Sequence, residues 1–260
     1  MRLALLMAAS IGLGQSAPAQ SPEALVAQGR DLADLHPREA LRLFEQALAL
    51  DSTHYEGNWR AATALANLGQ EISDQGKSAT RDSLYQRAVQ HARRAIATRS
   101  DDAEGYFVLA MALGRTALTK GKRDRVRYAV EIRDLGLRAL ELKPNHDGAH
   151  HVLGLWHAEV MRLSGFNRFF AKNFLGGKVF GQASWAEATR HLEDAVRLDS
   201  SRIFHRLDLA RVYADRALYA QAQEQLQRIT ELPDRVALDK RYREEAARLL
   251  EEIHRRRRDR

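Results

Sequence analysis

The sequence predicts an all-α protein built from stacked helical hairpins. Its 260 residues include only 5 prolines and are rich in Ala, Leu, Arg, Glu and Gln, which favour helix over strand. Small residues also recur at constant spacings on amphipathic stretches, as expected where two helices cross closely. We therefore expect a helical solenoid with no strand-built domain.

The repeated spacing has two parts. Small or branched residues lie seven positions apart at five places: Ala40/Ala47, Ala88/Ala95, Ile132/Ala139, Ala188/Ala195 and Ala222/Ile229. Fifteen positions after the second member, another small residue follows four times: Ala62, Ala110, Gly154 and Ala210. Turn signals stand between them at Asp51-Ser52, Ser100-Asp101, Pro144-Asn145 and Asp199-Ser200. Each unit is therefore predicted to be a helix, a short turn and a second helix.

This pattern resembles the tetratricopeptide repeat (TPR), in which paired helices A and B carry small residues at their crossing points. The resemblance covers roughly residues 24 to 232, and the last unit fits best, with Tyr213, Ala222 and a closing Pro233. It implies a TPR-like helical-hairpin solenoid, and the fold class we predict is all-α with lengthened helix A to helix B connections.

The spacing from helix A to helix B is unequal. It is 12 residues from Ala210 to Ala222, but 26 and 22 in two other units and 34 from Gly154 to Ala188. For the two intermediate spacings we expect longer helices, because their segments have helix-forming composition. The longest contains four glycines, which make one continuous helix costly, so an insertion is expected there.

The TPR-like register places one large side chain per unit at an equivalent position of helix A. The residues predicted to line a concave ligand-binding groove are Trp59, Phe107, Met111, His151, Leu155, Phe204, Leu207 and Arg211. An apolar stripe with flanking charges suits an extended peptide, a partner helix or an acyl chain. The alternative is that these side chains form the core between repeats, because a solenoid buries the same helical spacing.

The insertion at residues 163–180 holds five of the chain's eight phenylalanines among cationic residues. Such a segment between glycines can dock on a membrane surface. The residues predicted for lipid contact, as an alternative function, are Phe166, Phe169, Phe170, Phe174 and Lys172. They can equally act as a structural brace that packs on neighbouring helices.

A narrower resemblance is carried by four stretches of the chain. The runs 148–156, the Phe-rich insertion, 184–188 and 204–213 are similar to the TPR domain of the regulator of microtubule dynamics family. Named members of that family are eukaryotic and include microtubule-associated and membrane-contact proteins. The resemblance implies the fold, whereas an exported protein cannot meet microtubules.

Both ends of the chain carry charge or targeting signals. Arg2, an apolar run over residues 3–13 and Ala17-Pro18-Ala19 predict a signal peptide, 1–19, cleaved after Ala19. The alternative is an uncleaved anchor. The chain has no cysteine, so a lipoprotein anchor and disulfides are excluded. We expect a TPR-like domain over 20–254, a basic tail over 255–260, and an exported protein, periplasmic or secreted, that binds no nucleic acid.

No constellation of residues points to catalysis. Histidines cluster at positions 146, 150, 151 and 157, but no Glu follows in the arrangement of a helical zinc-hydrolase motif. Gly176-Gly177-Lys178 lacks the spacing and the hydroxyl residue of a phosphate-binding loop. We therefore expect a non-enzymatic scaffold with no cofactor and no metal, whose partner is a protein or peptide and, in the alternative function, phospholipid.

Overall fold

The computed structural model describes residues 20–72, 77–165, 167 and 178–258. In this part of the chain it contains α-helices, one short 3-10 helix and no strand. The α-helices are α1 Pro22–Leu32, α2 Pro37–Leu50, α3 Tyr55–Glu71, α4 Ala79–Thr98, α5 Ala103–Ala117, α6 Lys122–Leu142, α7 Asp147–Arg162, α8 Trp185–Leu198, α9 Ile203–Asp215, α10 Tyr219–Glu231 and α11 Asp239–Arg258. The basic residues 255–258 belong to the last turn of α11.

The helices pack as consecutive hairpins. The pairs are α1/α2, α3/α4, α5/α6, α7/α8 and α9/α10, and α11 packs on the last pair. The first helices of successive pairs also contact one another, so α1, α3, α5, α7, α9 and α11 form one layer, here called the inner side. This is the helix A layer of a TPR-like solenoid, as predicted.

The spacing of small residues arises from close helix crossings. All ten residues of the seven-residue pairs are buried, and so are the four small residues that follow them. Gly154 illustrates the reason, because a Cβ atom there would lie 2.6 Å from Cγ of Leu192. Only a glycine lets α7 approach α8 this closely.

The lengthened connections have the two predicted causes. Between α5 and α6 only residues 118–121 lie outside helix, and α6 itself has 21 residues, so the added length is helical. In contrast, α7 ends at Arg162, a 3-10 helix covers Lys178–Gln182, and α8 begins at Trp185. Phe180 of the 3-10 helix is buried beside Trp156, with ring centroids 6.0 Å apart.

Two glycine-to-alanine changes should have opposite effects on stability. Gly154→Ala should lower the free energy of unfolding by about 1–3 kcal/mol, because the new methyl group collides with the buried Leu192. Gly114→Ala should raise it by about 0.5–1 kcal/mol, because the position is helical and nothing lies within 4 Å of the new methyl. Urea unfolding of both variants checks this, and equal effects would contradict the close crossing of α7 and α8.

The two ends of the solenoid meet. The backbone N–H of Ala237, just before α11, donates to the carbonyl oxygen of Asp34 in the α1–α2 turn at 2.9 Å. Gln70 at the end of α3 donates from Nε2 to the hydroxyl of Tyr242 in α11 at 3.0 Å. The inner side is therefore bridged by α11 and is not an open groove along its whole length.

Candidate ligand-binding face

The large side chains at equivalent helix A positions point to the next unit. The ring of Phe107 lies over Gly148, where a Cβ atom would come within 2.5 Å of it, and its centroid is 4.7 Å from that of His146. Phe107 is half-buried. Its main contacts join α5 to the start of α7, so it acts mostly as packing between units.

His151 and Leu207 lie in the packing between units. His151 is buried and Leu207 has no exposed surface, and their contact with a ligand stays a prediction. At the contact between α7 and α9, the ring centroids of His151 and Phe204 are 5.0 Å apart. The alternative expectation, a core between repeats, describes these two positions.

Trp59 is half-buried, as Phe107 is, but it also lines a surface depression of about 590 Å³. The depression is lined by Asp51, Thr53, His54, Tyr55, Glu56, Trp59, Thr98, Arg99, Asp102 and Glu104. The lining contains four carboxylates and one arginine, and cations outside the lining pair with Glu56 and Glu104. The guanidinium of Arg60 lies 4.2 Å from the centre of the Trp59 ring, which shows that the indole accepts a cation on its face.

The remaining predicted groove residues are partly exposed. Met111 packs against the core of the first units, whereas Phe204 packs against the core of the last ones. Leu155 is also half-buried. Arg211 donates to Asp208 at 2.6 Å and to Glu245 of α11 at 2.5 Å, so its guanidinium is used within the chain.

A buried polar chain links α7 to α9. His205, which has no exposed surface, bonds Asp147 through Nε2 at 3.0 Å and His151 through Nδ1 at 2.9 Å. Nε2 of His151 lies 3.2 Å from a carboxylate oxygen of Asp208. Burial lowers the pKa of His205 to about 4, although its hydrogen bond to Asp147 acts in the opposite direction. His205 is therefore neutral at pH 7.

A second polar cluster joins α7 to α8. His157, Glu187 and His191 each place one possible ligand atom within 4.8 Å of the others. Arg190 already supplies a cation there, with Nη2 2.7 Å from Glu187 and 3.0 Å from Nε2 of His191. The backbone N–H of Ser184, at the start of α8, points to Nδ1 of His157 at 3.4 Å. These positive groups oppose a metal ion at this place.

The hydrogen bonds of His191 continue through a third histidine. Its Nδ1 lies 3.0 Å from Nδ1 of His150, and Nε2 of His150 lies 3.0 Å from the carbonyl oxygen of Pro144. All three bonds are satisfied when Arg190 donates to His191, His191 donates to His150 and His150 donates to Pro144. Burial and the charge of Arg190 lower the pKa of His191 to about 4, in agreement with a neutral His191 ring.

Tyr242 is the side chain at the bridge across the inner side. It is 8% exposed, bonds Gln70 of α3, and its ring centroid is 6.0 Å from that of Phe204. Burial raises the pKa of Tyr242, while the positive charge of Arg115 in α5 acts against this. Arg241 also donates from Nη1 to the carbonyl oxygen of Gln70. Nothing in the local sequence of α11 signals these contacts.

Two predicted features lie outside the described residues. These are the signal peptide, 1–19, and the lipid-contact residues Phe166, Phe169, Phe170, Lys172 and Phe174. Both stay predictions. Among the helices that the structure describes, none combines the length and the apolar character that a membrane span requires.

Comparison with known proteins supports the fold and gives a family. A thermophilic TPR protein of Thermus thermophilus has a TM-score of 0.62 at 20% identity, covering 88% of this chain and 99% of that one. MamA from Desulfovibrio magneticus RS-1 has a TM-score of 0.46 at 16% identity, covering 83% and 97%. Human IFIT1 has 0.48 at 17% identity, covering 91% and 59%.

The similarity to the Thermus thermophilus protein shows that this chain has the TPR fold. A comparison with curated proteins found no match. The family model described as regulator of microtubule dynamics protein 1-3 matches residues 25–254. That match spans most of the chain and nearly all of its described helices. The chain therefore belongs to the regulator of microtubule dynamics family.

Proposed function

We propose that this chain is a non-catalytic scaffold that binds a protein or peptide partner, with Trp59 as an anchor. A TPR-like repeat is a helical scaffold that typically mediates protein interactions. The observation that favours this site is the half-buried Trp59 at the edge of a depression rich in carboxylates. Aromatic anchors of this kind contribute much of the binding energy at protein interfaces.

The charge of the depression specifies the chemistry of the partner. Asp51, Glu56, Asp102 and Glu104 line the depression together with Trp59 and Arg99. Glu56 and Glu104 already pair with basic side chains of the chain, so a bound cation would add to these pairs or displace one of them. An arginine or lysine side chain can stack on the indole and bond a carboxylate at the same time. We therefore propose that the bound segment carries a basic residue at this position.

The proposed site lies away from the contact by which α11 bridges the inner side. The depression lies at the turns that precede α3 and α5, whereas α11 contacts the opposite end of α3 at Gln70. Binding at Trp59 is thus compatible with the closed solenoid. The predicted groove along the entire inner side is not needed for this function.

Selection from a random peptide library on the immobilised protein tests the proposal. Selected peptides should contain Lys or Arg, bind more weakly as salt rises, and lose at least about tenfold in affinity, or about 1.4 kcal/mol, with Trp59→Ala. Isothermal titration calorimetry gives both values.

Tyr128→Ala is the matched control for this experiment. Its ring is also covered by an arginine, with the guanidinium of Arg127 5.2 Å from the ring centre, but it lies on α6, away from the depression. Equal affinities of the Trp59→Ala and Tyr128→Ala variants would contradict the proposed anchor, and so would peptides without basic residues.

A further inference from the structure

We infer that Asp51 is the residue that recognises the basic side chain of the bound segment, and that it selects lysine over arginine. Asp51 lines the same depression as Trp59, so this assignment rests on the function proposed above. Asp51 gives the site its specificity for a cation, whereas Trp59 supplies the apolar contact.

Three of the four carboxylates in the depression already face a cation of this chain. Glu56 has two guanidinium nitrogens at 2.6 and 2.9 Å, and Glu104 has a lysine ammonium at 3.6 Å. Asp102 lies 3.8 Å from Nη1 of Arg99, and its Oδ1 accepts the backbone N–H of Glu104 at 3.0 Å. A ligand cation at any of these three carboxylates competes with a charge that is already present.

Asp51 differs from them because, in the part of the chain that the structure describes, its side chain bonds Thr53 and pairs with no cation. Thr53 donates to Oδ1 of Asp51 twice, from the backbone N–H at 2.9 Å and from the hydroxyl at 2.7 Å. The hydrogen bonds from Thr53 lower the pKa of Asp51 below its ordinary value, so the carboxylate is ionised at pH 7. Asp51 therefore presents an uncompensated negative charge in a defined orientation.

The free oxygen atoms of Asp51 decide between lysine and arginine. Both bonds from Thr53 end on Oδ1, and Oδ2 accepts no hydrogen bond from the described residues. A guanidinium gains its advantage over an ammonium by bonding both oxygens of a carboxylate, and here one of them is already used. A lysine ammonium is a point charge that needs only Oδ2, so lysine binds without displacing Thr53.

The indole of Trp59 favours the same ligand side chain. The guanidinium of Arg60 already lies 4.2 Å from the centre of its ring. The methylene groups of a lysine can pack on the remaining apolar surface of Trp59 while the ammonium extends towards Asp51. A ligand guanidinium that stacked on the ring would instead lie close to the like charge of Arg60.

Three versions of a peptide selected on the protein test this assignment, with lysine, arginine or norleucine at the basic position. Norleucine keeps the alkyl chain and removes the charge. The unmodified protein should bind the lysine version about fivefold tighter than the norleucine version, and at least as tightly as the arginine version. Asp51→Asn keeps an oxygen for the bonds from Thr53, and it should reduce the preference for lysine over norleucine to about twofold or less. Isothermal titration calorimetry measures each affinity.

Asp101→Asn is the matched control, because it removes the same charge from an exposed residue of the turn before α5 that does not line the depression. It should leave the preference for lysine unchanged. Equal preferences in the Asp51→Asn and Asp101→Asn variants overturn the assignment, because the charge of Asp51 then has no local role. Loss of the preference with Asp102→Asn instead of Asp51→Asn also overturns it, and so does tighter binding of the arginine version.

Failure of this assignment can be told apart from failure of the site itself. If Trp59→Ala does not weaken peptide binding, or if no peptide with a basic residue is selected, the function proposed above fails and the role of Asp51 fails with it. If Trp59→Ala weakens binding while Asp51→Asn leaves the preference for lysine intact, only the role of Asp51 fails.

Discussion

The free energy of unfolding is expected to fall by about 5–6 kcal/mol between pH 7 and pH 5, because three largely buried histidines are neutral in the folded protein. Burial lowers the pKa values of His91, His191 and His205 to about 4 in the fold, against an ordinary value of 6.5. Their contribution is complete above pH 6.5 and is lost as the pH falls towards 4. Each lowers stability by roughly 1.8 kcal/mol at pH 5, if the unfolded pKa is the ordinary one.

Asp147 and Asp208, which lie beside the buried rings of His205 and His151, do not reverse the fall in stability between pH 7 and pH 5. Hydrogen bonding to His205 lowers the pKa of Asp147 to about 2 against the effect of burial, and hydrogen bonding to His151 lowers that of Asp208 further. Both groups stay ionised between pH 7 and pH 5. Their own contribution is present at pH 5 and is lost only at lower pH, so the fall in this window belongs to the histidines.

Urea unfolding at several pH values measures the effect, with two variants for comparison. His191→Gln should remove about a third of the pH dependence, because glutamine does not titrate. His254→Gln, at an exposed position of α11, is the control and should leave the pH dependence unchanged. A stability that is constant from pH 7 to pH 5 would show that the rings of His91, His191 and His205 do not resist protonation.

Phe107→Ala is expected to lower the free energy of unfolding by about 3 kcal/mol, the lower end of the range for truncating a buried aromatic side chain, because Phe107 is only half-buried. Its ring fills the space above Gly148 and beside His146. The loss should lower Tm by roughly 6–12 °C for a chain of this size. Differential scanning calorimetry gives both quantities.

The same experiment separates packing between units from ligand binding. Trp59→Ala should reduce stability less, since Trp59 lies at the edge of a depression and not over the backbone of the next unit. By contrast, Trp59→Ala should weaken binding of the selected peptides more than Phe107→Ala does. If Phe107→Ala leaves stability unchanged and weakens peptide binding, the ring is a ligand contact, and the sequence-based groove is correct at that position.

Much of the fold could be predicted from local spacing. The seven-residue and fifteen-residue intervals mark positions such as Ala62 and Ala210, which are buried where helices cross, and this requirement acts between elements that are neighbours in the chain. The candidate site was predictable only in part. Trp59 borders a surface depression, whereas Leu207, at the equivalent position, is fully buried, because the register gives the direction of a side chain and not what covers it.

The sequence by itself determined the helices, their pairing into hairpins and the family, since these follow from periodicity and from contacts between adjacent segments. Only the tertiary structure decided that His151 bonds His205 and that Gln70 meets Tyr242. The positions of the second pair are 172 apart in the chain. Such a contact depends on the sum of small rotations over all the intervening units, and no short motif encodes that sum.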